Sequence, residues 1–262
     1  MHSAVLSQAE ISLAQALGKT ATECLRTGLP QIRVPESPWA LRSEAGSWAI
    51  LPGSFNPPTL AHSHMVKWAL ERGGFDRVLL ILDLRHADKP PQDAHIVDRY
   101  LMLQVAFHLQ KRLLIGLSSH GLFLEKARAL SLTFAPGTRW SFLVGADTMA
   151  RILDPGFYGD AEKELDELFS LGSFTVFERP AMPNIRLPVR FPLVPSPKKM
   201  EGVSSSWVRT RRQRGLPWKK GLCTRVARFI ESTGLYLPEP SPYGARRREL
   251  EEIFHFSHGQ AS

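Results

Sequence analysis

The chain has 262 residues, a formal charge of +8 and a hydrophobic share of 43%. That length accommodates one large α/β domain or two small ones, the apolar share is that of an ordinary soluble protein, and no apolar run approaches the roughly 20 residues of a membrane span. The two cysteines, Cys24 and Cys223, make neither a disulfide framework nor a convincing metal site.

Met1-His-Ser-Ala-Val-Leu-Ser7 lacks the basic start and apolar core of a secretory leader. A reducing, cytoplasmic setting is therefore expected. The positive excess suits anionic partners: nucleotides, phosphorylated metabolites or nucleic acid. It concentrates late, in Arg209-Thr-Arg-Arg-Gln-Arg214, Lys219-Lys220 and Arg246-Arg-Arg248. A solvated helix face is the plainer reading of such runs, above all for the last of them.

In chain order, residues 1–47 read as a helical extension. Ser7-Gln-Ala-Glu10 fits a capping box, with Leu6 and Ile11 as its hydrophobic staple, and Gly18 is a plausible stop. Thr20-Ala-Thr-Glu23 looks like a second box, ending near Gly28. Two short helices and a Pro-rich connector, Pro30 to Pro38, then make a helical hairpin. It would pack on the main domain or on a second subunit, which leaves room for a homo-oligomer.

The apolar run Trp48-Ala-Ile-Leu51 leads into Pro52-Gly-Ser-Phe-Asn-Pro-Pro-Thr-Leu-Ala-His62, and Met65-Val-Lys-Trp-Ala-Leu70 looks helical. Strand, tight turn and helix in this order aim backbone N–H groups at a phosphate. Gly53 permits close backbone approach, and Pro58 suits a first helical position. Thr59 and His62 share one face of the first turn. Read locally, the stretch is equally an ordinary Gly/Pro-rich junction with a solvated histidine.

Further apolar runs follow at Val78–Leu82, Leu113–Leu117, Trp140–Val144 and Phe174–Phe177. Arg190–Val194 is a weaker strand, marked as an edge by Pro192. Helical stretches lie between them, near Pro58–Glu71, Ile96–Gln110, Leu122–Leu130 and Ala161–Leu168. This alternation predicts an α/β fold: a Rossmann-like parallel sheet with helices on both faces. Ligands bind such sheets beyond the carboxyl ends of the strands. Asp98 reads as an ordinary helix cap there. Asp147 either caps a helix or accepts from a diol, which a carboxylate can do through its two oxygens. The serines of Gly202-Val-Ser204-Ser205-Ser206-Trp-Val208-Arg209 would bring hydroxyls, free N–H groups and the positive dipole end together at a helix start. Taken alone, this is also a serine cap on a basic helix. Residues 180–200 are Pro-rich and read as extended.

Gly53 to His62 resembles the signature of the nucleotidyltransferase superfamily, Gly-x-Phe-Asp/Asn-Pro-x-His/Thr-x-x-His. With Asn56 and Thr59 it looks most like the nicotinamide or nicotinate mononucleotide adenylyltransferases. Four ordered segments carry the resemblance, over about Trp48 to Leu237. Lys89 and Arg99 resemble the family's second segment, which contacts the acceptor or the phosphates. Gly145-Ala-Asp147 resembles its Gly-x-Asp segment, where the aspartate binds ribose hydroxyls. Val203 to Arg209 resembles Ile-Ser-Ser-Thr-x-Ile-Arg. Val226 to Tyr236 resembles the closing helix with its Gly-Leu-Tyr ending, a packing element. Arg179 matches an arginine at a strand end and would take a phosphate or carboxylate. The family's tryptophan after the Gly-x-Asp segment is absent; Phe157 and Tyr158 stand near its place, and Tyr158 would stack or simply pack.

The resemblance implies three parts: an extension at 1–47, a nucleotidyltransferase domain at 48–237 and a tail at 238–262, in which Ala245–Phe254 would form a short amphipathic helix. It implies adenylyl transfer from ATP to a phosphorylated acceptor, nicotinamide or nicotinate mononucleotide, as in NAD biosynthesis. His62, Thr59 and Arg209 would be catalytic. Gly53, Ser54, Phe55, Gly145, Asp147, Ser204, Ser205 and Ser206 would hold ATP, and Asn56, Lys89, Arg99, Tyr158 and Arg179 the acceptor. Mg²⁺ would ride on the phosphates without a protein cage; membrane and nucleic-acid partners are not expected. The alternatives are adenylyl or cytidylyl transfer to another phospho-acceptor such as phosphopantetheine, and a non-catalytic nucleotide- or RNA-binding protein of the same fold.

Overall fold

The computed structural model describes residues 6–37, 39–43, 45–84, 94–157, 160–178, 191–197, 200 and 202–259. The strands are β1 (Ile32–Arg33), β2 (Ser47–Pro52), β3 (Arg77–Asp83), β4 (Leu113–Ser118), β5 (Arg139–Gly145), β6 (Ser173–Phe177) and β7 (Leu193–Val194). The helices are α1 (Gln8–Leu25), α2 (Leu60–Glu71), α3 (Ile96–Phe107), α4 (Phe123–Thr133), α5 (Ala146–Ile152), α6 (Ala161–Leu171), α7 (Ser205–Gln213), α8 (Thr224–Thr233) and α9 (Tyr243–Gly259). Among the described residues no helix is long and apolar enough to cross a membrane.

The sheet order is β1-β4-β3-β2-β5-β6-β7. Every pairing is parallel except β1 with β4. The chain enters the parallel sheet at its centre, in β2. It winds outward through β3 and β4, then returns beside β2 and winds the other way through β5, β6 and β7. A crevice therefore opens between the carboxyl ends of β2 and β5, the switch point at which doubly wound folds bind ligands.

The apolar runs fill both faces because strands alternate their side chains. Ala49, Leu51, Val78, Leu80 and Leu82 share one core with Leu17 of α1, Val66 of α2 and Val97 of α3. Trp48, Ile50, Leu79, Ile81 and Phe142 share the other with Leu130 of α4, Met149 of α5 and Leu168 of α6. Each fully buried aliphatic side chain contributes about 1.5–3 kcal/mol through the water it sheds. A third cluster joins Met102 of α3 to Val208 of α7, Ile230 of α8, and Tyr236 and Tyr243.

Four local expectations are corrected. The N-terminal hairpin is one helix: Gly18, read as a stop, is buried within α1 beside Ala14, Leu17 and Ala21. These positions form a single stripe, and its packing outweighs the roughly 1 kcal/mol a helical glycine costs. Thr20 and Thr22, read as part of a second cap, donate back to the carbonyls of Ala16 and Gly18 at 2.9 and 3.0 Å. Pro58 is not helical, since α2 starts at Leu60 behind an extended Thr59. Asp98 does not cap α3; His95 does, through Nδ1 and the Val97 N–H at 3.3 Å. Gly145, not Asp147, is the cap of α5.

The flanking segments share the sheet's core. Leu6 and Leu250 lie in the same apolar cluster as Leu80, and β1 extends the sheet. The short helix expected over Ala245–Phe254 is the longer α9, packed along α1.

Candidate functional site

The turn after β2 is built tightly. The Gly53 N–H donates to the Ile81 carbonyl at 3.0 Å, pinning the turn to β3. Phe55 has a left-handed backbone, φ 45°, which folds its ring back under the turn, where it is buried. A Cβ on residue 53 would lie 3.2 Å from that ring, so only glycine fits without displacing it. Phe55 thus offers the site its backbone, while its ring supports His62 edge-on at 5.0 Å.

His62 is oriented by Thr59. The Thr59 backbone N–H donates to His62 Nδ1 at 2.9 Å, and the Thr59 hydroxyl lies 3.0 Å from the same nitrogen. A backbone N–H can only donate, so Nδ1 is an acceptor. The neutral ring then carries its proton on Nε2. The ring lines a cleft between the ends of β2 and β5. His64, Gly145, Thr148, Phe177 and Glu178 line it too, and His64 meets the Phe177 ring edge-on at 6.1 Å. Asp147 follows Gly145 in the first turn of α5.

The second serine-rich segment closes on the same turn. Ser204 caps α7, its hydroxyl accepting from the Trp207 N–H at 3.0 Å. The Ser205 hydroxyl donates to the Pro57 carbonyl at 2.8 Å. Arg209 donates to the Asn56 carbonyl at 2.7 Å and to the Ser206 hydroxyl at 3.4 Å. All three hydroxyls therefore have protein partners. What α7 presents to an anion is its leading N–H groups, its dipole and the Arg209 guanidinium.

Behind the turn, Asn56 is buried. Its Oδ1 accepts from the Tyr236 hydroxyl at 2.6 Å and from the Ala94 N–H at 3.3 Å. Arg99 is also buried and donates to the Ser54 carbonyl at 3.4 Å. Its neighbour Asp98 faces the other way, taking two bonds from Arg246 at 3.0 and 2.6 Å and one from the Tyr243 hydroxyl at 2.8 Å. Burial pushes the Asp98 carboxyl up, against the pull of Arg246 and Tyr243. Burial and then Asp98 push the Tyr243 phenol well up, so it remains a donor.

The structure thus gathers His62, Thr59, Gly53, Ser54, Phe55, Asn56, Arg99, Arg209 and the three serines around one turn, with Gly145 across the cleft and Asp147 in the first turn of α5. Lys89, Tyr158 and Arg179 lie outside the described residues. The sequence reading missed His64, Thr148, Phe177 and Glu178. The strand-end rule signals the last two, since they close β6.

A family model described as "Cytidylyltransferase-like" matches residues 50–211, more than half of the chain. The chain belongs to the cytidylyltransferase-like family. It is a nucleotidyltransferase, and the matched span runs from β2 into α7, so it contains both halves of the cleft. A Schizosaccharomyces pombe protein named as a nicotinamide mononucleotide adenylyltransferase is 33% identical over 134 residues, covering 50% of this chain and 52% of that one. A Clostridium botulinum (strain Okra) protein named as a nicotinate-nucleotide adenylyltransferase is 27% identical over 214 residues, covering 72% and 98%. The Plasmodium falciparum nicotinic acid mononucleotide adenylyltransferase complexed with APC superposes with a TM-score of 0.56 at 17% identity, covering 73% of this chain and 97% of that one. That last likeness is one of fold.

Proposed function

We propose that this cytidylyltransferase-like chain transfers the adenylyl group of ATP to nicotinamide or nicotinate mononucleotide and releases pyrophosphate. The supporting observation is the pairing of His62 with the start of α7 on one turn, through Ser205 to Pro57 and Arg209 to Asn56. The names of the adenylyltransferase relatives point to adenylyl rather than cytidylyl transfer.

In this reading a phosphate oxygen of the mononucleotide attacks the α-phosphorus of ATP. The bond from that phosphorus to the bridging oxygen breaks, and the electron pair leaves with pyrophosphate. The attacking oxygen is already anionic, so no protein base is required. Catalysis comes from alignment and charge stabilisation. His62 donates from Nε2 to an α- or β-phosphate oxygen as charge builds. The N–H groups opening α7 and the Arg209 fork hold the departing phosphates. Asp147 accepts from the ribose diol of ATP. Arg99 holds the turn, and Lys89, Tyr158 and Arg179 are acceptor contacts by resemblance to the family.

Among the described residues no group of three or more His, Cys, Asp or Glu is placed to hold a metal. The donors around the cleft are N–H groups, hydroxyls and a guanidinium, a set that suits a triphosphate carrying its own Mg²⁺. The ion would supply charge neutralisation on the phosphates, and His62 and Arg209 would share the oxygens it leaves.

The test is pyrophosphate release by purified protein given each nucleoside triphosphate, crossed with nicotinamide mononucleotide, nicotinate mononucleotide and phosphopantetheine. Release with ATP and a pyridine mononucleotide supports the proposal. Release only with CTP or only with phosphopantetheine, or none at all, overturns it.

A further inference from the structure

Tyr236 reaches the turn after β2 from behind, and the helix that follows it, α9, grips the start of α3. The contacts form a continuous chain of polar bonds. Tyr236, buried and with a left-handed backbone of φ 62°, donates its hydroxyl to Asn56 Oδ1 at 2.6 Å. The Ala94 N–H, which can only donate, bonds the same oxygen, so the amide orientation is determined: Oδ1 faces the protein interior. One residue on, the His95 N–H donates to the Tyr243 hydroxyl at 2.7 Å. That hydroxyl donates in turn to Asp98, and Arg246 grips the other oxygen of Asp98. Arg246 also reaches Glu10 of α1 at 2.8 Å. Asp98 and Arg99 are adjacent in the first turn of α3. The first is clamped by α9, and the second presses on the Ser54 carbonyl.

On the reading that this turn is the transfer site, we infer that Tyr236 and Tyr243 are positioning residues for it, and that Asn56 acts as the strut they hold rather than as an acceptor contact. The turn has few regular backbone bonds of its own, because its prolines lack an N–H and Phe55 sits in a left-handed conformation. Its shape is therefore imposed by partners. Arg209 holds the Asn56 carbonyl from the front, and Tyr236 holds the Asn56 side chain from the back. Releasing the back leaves His62 and the turn's N–H groups free to shift by fractions of an ångström, enough to cost rate without unfolding the chain.

Tyr236→Phe and Tyr243→Phe remove one hydroxyl each and keep the packing. Leu168→Ala, in the core on the opposite face of the sheet, serves as a destabilised control. The first measurement is hydrogen–deuterium exchange of residues 53–62, which requires no turnover. Exchange there should speed up in both tyrosine variants and not in the control. The second is steady-state pyrophosphate release. Tyr236→Phe should lower kcat about tenfold, the equivalent of one positioning hydrogen bond, with the KM for ATP within about twofold. The control should keep its kcat per folded molecule.

Unchanged exchange at 53–62 in Tyr236→Phe, or equal acceleration in Leu168→Ala, overturns the brace. So does an unchanged kcat. A wild-type protein that releases no pyrophosphate would instead overturn the transfer reading, and the exchange data would still decide whether Tyr236 holds the turn.

Discussion

The Thr59 backbone N–H donates to His62 Nδ1 over 2.9 Å, so the residue three positions earlier sets the tautomer of the ring. The side chain of Thr59 is secondary in this arrangement. Its hydroxyl shares a nitrogen that the main chain already occupies. The proton left on Nε2 is the group that can serve a phosphate.

His62→Ala removes that donor and should lower kcat by at least about 10²-fold, the loss expected for one transition-state hydrogen bond. The ring is only part-buried, and its support by Phe55 is one edge contact, so the fold should survive. Steady-state kinetics paired with a circular-dichroism melt checks both halves. Full turnover in the variant would remove His62 from the mechanism.

Thr59→Ala should be mild by comparison. The main-chain bond to Nδ1 persists, and only one net hydrogen bond of about 1 kcal/mol is lost, or about fivefold in rate. A loss as deep as that of His62→Ala would mean that the hydroxyl itself contacts the reacting phosphates.

Lys126 and Asp83 form a buried pair at 2.9 Å, the lysine side chain only 1% exposed. Lys126 also donates to the Gly121 carbonyl at 2.5 Å, which ties α4 to the end of β3. Lys126→Met breaks this buried pair and should cost about 3–5 kcal/mol. For a chain of this size the melting temperature should fall by roughly 10 °C. Adding Asp83→Leu should recover part of the loss, because removing both charges is far cheaper than removing one.

Cys24 is fully buried against β4, and burial pushes its thiol up to about 11, outweighing the nearby Arg33. The thiolate is therefore scarce near pH 8, and reagents have no path to it. Cys223 is partly exposed. Thiol titration of the native protein near pH 8 should count one fast group, and a second only in denaturant. Two fast groups in native protein would contradict the burial of Cys24.

Much of this molecule is legible one segment at a time. Val78–Leu82 and Trp140–Val144 announce buried parallel strands, because a strand covered on both faces needs apolar residues at every position. Gly53 to His62 and Val203 to Arg209 announce a phosphate turn and an anion-facing helix start, because each motif carries its chemistry within about ten neighbouring residues. By contrast, β1 is only two residues long and gave no periodic signal. Gly18 looked like a stop because its burial is a tertiary matter. Asp98 and Asp147 resembled caps because a carboxylate near a helix start is ambiguous until the preceding backbone is seen.

Sequence alone therefore determined the parallel strands from β2 to β6 and the family signature with His62 in it. Only the tertiary structure decided how the signature residues are employed. The hydroxyls of Ser204 and Ser205 are committed to protein, Asn56 is held by a tyrosine 180 residues away, and the C-terminal helix reaches α1 and α3 through Arg246. The reason is physical. A local pattern reports which faces of an element are apolar, whereas a hydrogen bond between distant segments depends on where the packed core brings their polar groups together.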